Sequence, residues 1–252
     1  MDLKNNNSQP RTNWSENILF TSTRRDYPSS VSELRQILKR NSRVHIVGTA
    51  HSFNNIADST GVIVSLKNMD RICLKDPETV LVGPGVTYSG LRRALLRAGR
   101  AIENFPSLPH LSIIGSIVTG THGGGQQLQI MAGLVEEYTL MDGNGKLFHL
   151  RRRDPLFWKL LVGLGYLGVV LGVRLRTVPP FDIQKGIYEH VDFQKFKSLG
   201  PSIFSMNEYT SLFIDLNEKE VSSVWVGKVV RSNLPQGTRA HKNFIPRLAL
   251  DN

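Results

Sequence analysis

The middle of the chain contains a segment that no long helix or strand can cross. Between Asn104 and Gln127, prolines and glycines recur at short intervals. They are Pro106, Pro109, Gly115, Gly120, Gly123, Gly124 and Gly125. Proline removes a backbone donor and restricts φ, whereas glycine adds backbone freedom, so each of them ends or weakens regular structure. The sequence therefore predicts short elements on either side of this segment, and a role for the segment other than packing.

Composition and length exclude several classes of protein. The chain has 252 residues, 40% of them hydrophobic, which is ample for a buried core. Its single cysteine excludes an internal disulfide and a cysteine-rich zinc site. The longest apolar stretch, 160–173, is broken by glycines and is too short to span the ~30 Å of a bilayer core. Residues 1–9 are polar and predict a frayed tail instead of a signal peptide or membrane anchor, which favours a cytoplasmic protein.

The charge is strongly positive. The chain carries 31 Lys and Arg against 21 Asp and Glu, a formal net charge of +10. Such a surplus favours an anionic partner: nucleic acid, acidic lipid or a phosphorylated small molecule. The arginine runs 24–25, 92–93 and 151–153 are scattered, without the interleaved aromatics that base stacking requires. We therefore interpret them mainly as solvated faces and expect no nucleic-acid partner.

Hydrophobic spacing and turn residues predict many short elements. Helices are predicted at 31–40, 89–98, 154–161 and 193–204. Strands are predicted at 43–47, 62–66, 71–74, 79–82, 134–141, 146–150, 169–178, 187–191, 211–216 and 224–230. The turn Asp142-Gly-Asn-Gly145 predicts a β-hairpin, since these residue types supply positive φ. The prolines at 179 and 180 end a buried strand, and we place a domain boundary there.

Two segments combine glycines, small hydroxyl residues and histidine: 47–54 and 107–125. Backbone N–H groups in such loops can form an anion-binding nest, and the missing side chains let the main chain approach a pyrophosphate closely. Phosphate binding is therefore the physical expectation. Neither segment matches a P-loop or the GxGxxG turn of a nicotinamide-binding domain. On spacing alone, ordinary glycine-rich loops remain an alternative.

Five motifs together carry a resemblance to a known family. They are Asn13-Trp14, His51-Ser-Phe-Asn54, Ser107-Leu-Pro-His110, Thr119-Gly-Thr-His-Gly123 and Leu164-Gly-Tyr-Leu-Gly-Val169. In this order, over about 13–230, the chain resembles the flavin-linked oxidases of the vanillyl-alcohol-oxidase type, closest to the alditol and xylitol oxidases and the sugar-1,4-lactone oxidases. The resemblance implies an α+β fold: a PCMH-type FAD-binding domain of two subdomains, followed by a partial α+β substrate (cap) domain. The expected division is a disordered tail at 1–12, the FAD-binding domain at 13–180 and an incomplete cap domain at 181–252.

The resemblance also implies which residues hold FAD. In the family, the histidine of the first loop is bonded to the 8α-methyl group of the flavin, which makes His51 the linking residue. The family has glycine where this chain has Ala50, and an alanine there is strained if the backbone needs positive φ. Ser107 is expected near both the flavin and the substrate hydroxyl. The other expected contacts are Gly48, Thr49, Ala50 and Ser52 beside the pyrophosphate, Ser112, Gly115, Thr119, Gly120, Thr121 and His122 on a second wall, and Val169 near the adenine or ribose. No metal site is expected, since His110 and His122 lack a third ligand at metal-binding spacing.

The reaction that the resemblance implies is oxidation of a CH–OH group of a polyol or sugar-1,4-lactone, with O2 as acceptor and H2O2 as product. Family segments that contact the polyol have no counterpart here, so the chain is expected to be truncated and to expose apolar strand faces near its end. The first alternative is a catalytically inactive FAD-binding or interaction fragment. The second is a basic nucleic-acid-binding protein. Family analogy also makes association with a membrane surface an expectation.

Overall fold

The computed structural model describes residues 12–217 and 220–230. The predicted tail at 1–9 and the segment 232–252 lie outside the described residues. The α-helices are α1 (Val31–Arg40), α2 (Tyr88–Arg97), α3 (Ile113–Val118), α4 (Pro155–Trp158) and α5 (Phe193–Ser205). The strands are β1 (Arg24–Asp26), β2 (Val44–Val47), β3 (Val62–Ser65), β4 (Ile72–Cys73), β5 (Thr79–Val82), β6 (Val135–Met141), β7 (Leu147–Arg151), β8 (Val169–Arg176), β9 (Asp182–Asp192), β10 (Tyr209–Ile214) and β11 (Glu220–Val230).

The first subdomain is a parallel sheet of three strands, in the order β1-β3-β2, with helix α1 packed on it. The helix begins as its sequence predicts. The Ser30 side chain accepts the Glu33 N–H at 3.2 Å, and the Glu33 carboxylate accepts the Ser29 N–H at 2.8 Å. The first bond satisfies a backbone donor that the first helical turn leaves free, and the second ties the residue before the N-cap to that turn. Leu34 is fully buried against β3, which fixes the helix on the sheet.

The second subdomain is an antiparallel sheet of five strands, in the order β4-β5-β8-β6-β7. Its β6-β7 hairpin turns through Asp142, whose carboxylate accepts the N–H groups of Asn144 and Lys146 at 2.9 and 2.8 Å. The main core packs this sheet with α2 and α3 and includes the fully buried Tyr138. Met141 packs instead with the first subdomain, so the two sheets meet along β6 and β8.

A third sheet, antiparallel in the order β10-β11-β9, carries α5 on one face. Its other face exposes Ile187, Phe213 and Trp225, in agreement with the predicted exposure of apolar strand faces. The sheet is joined to the glycine-rich segment by a backbone bond from Thr210 N–H to the carbonyl of Gly124, at 3.1 Å. Through this hydrogen bond, the glycine-rich segment lies between the second subdomain and the third sheet.

The structure corrects several predicted elements. The helix predicted at 154–161 is one turn, α4, because the chain continues into turns before the glycines at 163, 165 and 168. Strand β9 is longer than predicted, since its partner β11 pairs with it over its whole length. Helix α3 and strand β1 are absent from the predictions, because six and three residues are too few to show a hydrophobic period.

Candidate functional site

A cleft of about 600 Å³ lies between the loop that follows β2 and helix α3. A second recess of about 350 Å³ extends along the start of β8 and shares Gly48, Ser112, Gly115 and Leu164 with the cleft. The two hollows therefore form one elongated groove across the junction of the two subdomains. Its volume lies in the range typical of small-molecule and cofactor sites.

The floor of the groove is a close approach of two backbones. A Cβ built on Gly48 would overlap the Ser112 hydroxyl and would lie 3.6 Å from the Cα of Gly115. A Cβ built on Gly115 would overlap the same Ser112 hydroxyl. The Ser112 N–H donates to Thr49 Oγ1 at 3.2 Å, which ties the start of α3 to the first loop. The two loops thus meet with Gly48 and Gly115 packed around the Ser112 hydroxyl, and a side chain at either glycine would force that hydroxyl to move.

Helix α3 is held in place from behind. The Tyr88 hydroxyl and the Ser116 hydroxyl are 2.5 Å apart in the core, and the Ile113 N–H donates to the carbonyl of Val86 at 3.0 Å. Burial raises the pKa of Tyr88 far above its ordinary value, so the phenol stays protonated and acts as a structural group. The second wall of the groove, helix α3, is therefore held on the core by hydrogen bonds.

Ala50 has a left-handed backbone, with φ +55°. This is the conformation that the sequence analysis identified as a source of strain at this position. Its carbonyl accepts the Trp14 N–H at 2.8 Å, and its methyl group packs beside Phe20 and Ile63. The surrounding contacts therefore hold an L-residue in a backbone region that costs roughly 1–2 kcal/mol.

Replacing Ala50 by glycine is expected to raise the free energy of unfolding by about 0.5 kcal/mol, because the relief of strain exceeds the entropy that glycine adds to the unfolded chain. The measurement is chemical denaturation. Ala94→Gly, in the middle of α2, is the matched control and should lower stability by about 0.5–1 kcal/mol. Equal destabilisation in the two variants would contradict the strain at Ala50.

His51 follows directly in this loop and lines the cleft. Its ring stacks on Trp14, with centroids 4.7 Å apart and planes inclined by 23°, and His110 lies 4.6 Å away. Its Nε2 is buried and has no hydrogen-bond partner among the described residues. Burial, and then the nearby His110, lower the pKa of His51 below its usual range. The neutral imidazole, with a nitrogen lone pair, is therefore the favoured form at neutral pH.

An N-terminal strap, residues 13–18, fixes the His51 loop from outside. Asn13 is buried, and its side-chain amide donates to the Ser52 carbonyl at 2.9 Å. The Asn17 amide donates to the Phe53 carbonyl at 3.1 Å. These bonds occupy loop carbonyls that would otherwise lack partners, so the strap and the loop form one unit.

Most of the predicted site residues lie in the groove. Those that line the cleft are Gly48, Thr49, Ala50, His51, Ser52, Ser112, Gly115, Thr119 and Thr121. Val169 lines the adjoining recess. Three others do not line either hollow: Ser107 and His122 are exposed, and Gly120, at φ +75°, follows the end of α3. For these three, a contact with the cofactor remains a prediction.

Sequence reasoning missed three residues at the site. His45, on β2, lines both hollows, and burial lowers its pKa against the opposing effect of Asp58. Trp14 and His110 flank His51, although neither was predicted to have a role.

Within 12–217 and 220–230, no three His, Cys, Asp or Glu side chains are grouped so as to hold a metal ion. No helix in these ranges is long and apolar enough to cross a membrane.

Comparison with known proteins identifies the family. Residues 25–151, half of the chain, match the sequence model of a family described as FAD binding domain. The chain is 32% identical to alditol oxidase of a Streptomyces species over 234 residues, which cover 89% of this chain and 55% of that protein. It is 33% identical to L-gulonolactone oxidase of Bos taurus over 166 residues, 63% of this chain and 38% of that protein. The chain thus spans about half the length, or less, of these relatives.

The fold also has a solved counterpart. Cholesterol oxidase from B. sterolicum superposes with a TM-score of 0.75 over 86% of this chain and 47% of that one, at 18% sequence identity. At that identity the likeness concerns the fold alone, and it agrees with the two-subdomain architecture described above. From the matched domain, which covers half of its residues, the chain belongs to the FAD-binding domain family.

Proposed function

We propose that this chain binds FAD in the groove and bonds it covalently through His51. One observation carries the proposal: the cleft is lined both by Gly48 and Gly115, whose backbones approach closely, and by His51, whose Nε2 is buried and has no hydrogen-bond partner among the described residues. The bare backbones fit a pyrophosphate, which needs close approach of the main chain. The neutral imidazole fits a nucleophile toward the flavin.

In this arrangement, the loop 48–52 and the start of α3 hold the pyrophosphate. The recess beside Val169 receives the adenosine half, and the cleft beside His51 receives the isoalloxazine. The bond joins a ring nitrogen of His51 to the 8α-carbon of the flavin. On forming this bond, the His51 imidazole would lose one hydrogen and the flavin methyl group another, and O2 would accept both, with two electrons, as H2O2.

We infer further that the whole protein is an FAD-dependent oxidase of a polyol or a sugar-1,4-lactone. When bound, FAD supplies the two-electron acceptor for a CH–OH carbon, and O2 reoxidises it. The relatives named alditol oxidase and L-gulonolactone oxidase support this substrate class. In this assignment residues 13–180 form the cofactor domain, and residues from 181 onward begin the cap domain that faces the substrate.

A second candidate is a flavin-binding module without catalytic activity. The exposed apolar face formed by Ile187, Phe213 and Trp225 favours it, because such a face suits an interaction surface. Production of H2O2 by the purified flavoprotein with alditols and with aldono-1,4-lactones distinguishes the two. Turnover supports the oxidase, and tight FAD binding without turnover supports the module.

The test of FAD binding is a titration of the purified chain, followed by the flavin absorbance at about 450 nm. The wild type is expected to bind FAD, and Gly48→Ala is expected to weaken reversible binding about tenfold or more, since a Cβ there displaces Ser112 into the groove. Gly90→Ala in α2, where a Cβ has ordinary space, is the control and should bind as the wild type does. A wild-type chain that binds no FAD would refute the proposed function.

A further inference from the structure

Three aromatic rings meet beside the cleft. The Trp14 and His51 centroids are 4.7 Å apart, those of His51 and His110 are 4.6 Å apart, and those of Trp14 and His110 are 6.3 Å apart. Because Trp14 and His110 are this close to each other, they do not lie on opposite sides of His51. Two adjacent sides of the imidazole are therefore covered by protein, and His51 is also among the residues that line the cleft.

A backbone hydrogen bond holds the chain at Trp14 and another holds it next to His110. The Trp14 N–H donates to the Ala50 carbonyl at 2.8 Å, one residue before His51. The carbonyl of Pro109, one residue before His110, accepts the Ser89 N–H at 2.7 Å. Trp14 therefore moves with the His51 loop, and His110 is anchored to the start of α2. The ring cluster joins three parts of the chain that are far apart in sequence.

The two neighbours act on His51 in different ways. The indole face of Trp14 packs flat against the imidazole and restricts its rotation, in either charge state. His110 is the ionisable side chain close to the imidazole, and a second positive charge at 4.6 Å is unfavourable in this partly buried site. Trp14 thus limits where the ring nitrogens lie, and His110 limits the charge of the ring.

We propose that Trp14 and His110 are positioning residues, which form a fixed aromatic frame that orients the His51 imidazole so that its ring nitrogen meets the flavin. This inference rests on the proposed function, because it concerns the same bond. Both residues contact His51, but neither lines the groove itself, and neither is assigned a contact with FAD. Their effect is therefore on the rate of bond formation at saturating FAD, and not on the affinity of reversible binding.

The experiment compares covalent flavin incorporation in Trp14→Ala, Trp14→Phe and His110→Gln, using the full chain at saturating FAD. Incorporation is followed as flavin that stays with the acid-precipitated protein. We expect incorporation about 10- to 100-fold slower in Trp14→Ala and His110→Gln, since small errors in orientation have effects of that size. Trp14→Phe keeps a ring to stack on the imidazole and should stay close to the wild-type rate.

Two control variants separate positioning from general damage. Trp158 is exposed to 53%, the same fraction as Trp14, and lies on α4 outside the groove lining, so Trp158→Ala should incorporate flavin at the wild-type rate. His149→Gln, on β7, is the control for His110→Gln. Reversible FAD affinity and the unfolding temperature are measured for every variant. A Trp14→Ala variant that incorporates flavin at the wild-type rate would overturn the proposal, as would one that is slow only because it fails to bind FAD.

A second measurement works without flavin. The His51 ring protons are followed by NMR through a pH titration of the wild type, Trp14→Ala and His110→Gln. The frame predicts a changed chemical shift when the indole is removed and a higher His51 pKa when His110 is replaced. If the wild type holds FAD only reversibly, the covalent part of the proposed function is refuted. The NMR titration then tests by itself whether Trp14 and His110 position the His51 ring. Unchanged His51 resonances in both variants would refute it.

Discussion

A chain with His51→Ala is expected to retain no acid-stable flavin while it still binds FAD reversibly. The substitution removes the nucleophile whose Nε2 is buried without a partner in the cleft. It leaves Gly48, Ser112 and Gly115 in place, so the close approach of the two backbones is preserved. The loss of the stacking contact with Trp14 should lower stability by only about 0.5–1.5 kcal/mol, and the fold should persist.

The measurement is the absorbance and fluorescence of the acid-precipitated protein, compared with that of the soluble complex. His149→Ala serves as the control and should leave incorporation unchanged, since the His149 imidazole is largely exposed and does not line the groove. Acid-stable flavin in His51→Ala at the level of the control would show that another side chain forms the bond. Such a result would refute the role of His51 without refuting FAD binding.

The second large effect is expected at Gly124, where Gly124→Ala should lower the free energy of unfolding by about 1–3 kcal/mol. A methyl group at this position would overlap the carbonyl oxygen of Thr210, which is backbone and cannot rotate aside. The same residue accepts the Thr210 N–H at 3.1 Å. Relief of the clash therefore requires the third sheet to move away from the glycine-rich segment, and the joint between them is lost.

Chemical denaturation measures the change, and limited proteolysis reports where it acts. Gly143→Ala is the matched control: a Cβ there meets nothing within 4 Å, so its stability should stay within about 0.5 kcal/mol of the wild type. Cleavage between β8 and β9 should become faster in Gly124→Ala, because the third sheet has lost its attachment. Equal stability of the two variants would contradict the tight contact at Gly124.

Local signals in the sequence predicted most of the secondary structure. Helix α1 begins at Val31 and ends at Arg40, as its apolar spacing indicates. The hairpin around Asp142 is also confirmed, because a turn that needs positive φ depends on a few adjacent residues. Helix α4 and strand β9 differ from prediction at their ends, where tertiary pairing and nearby glycines decide the length.

The site was predictable in part. The loop 48–52 and the residues Ser112, Gly115, Thr119 and Thr121 were identified from the resemblance, and all of them line the cleft. Ser107 and His122 belong to the same motifs but are exposed, since neighbours in sequence turn to different sides of a short loop. Trp14 was part of the quoted motif, yet its stacking on His51 follows only from the folded positions of two distant segments.

The family, most of the helices and strands, and the loop that carries His51 follow from the sequence alone. Each of these depends on residue types at fixed spacing, which are present in the unfolded chain. Three features appear only in the tertiary structure: Ala50 has a left-handed backbone conformation, Gly48 meets Gly115 across Ser112, and Trp14 and His110 cover two sides of His51. Those features arise from contacts between segments far apart in the chain, because burial and shape complementarity act on distance in space and not on separation in sequence.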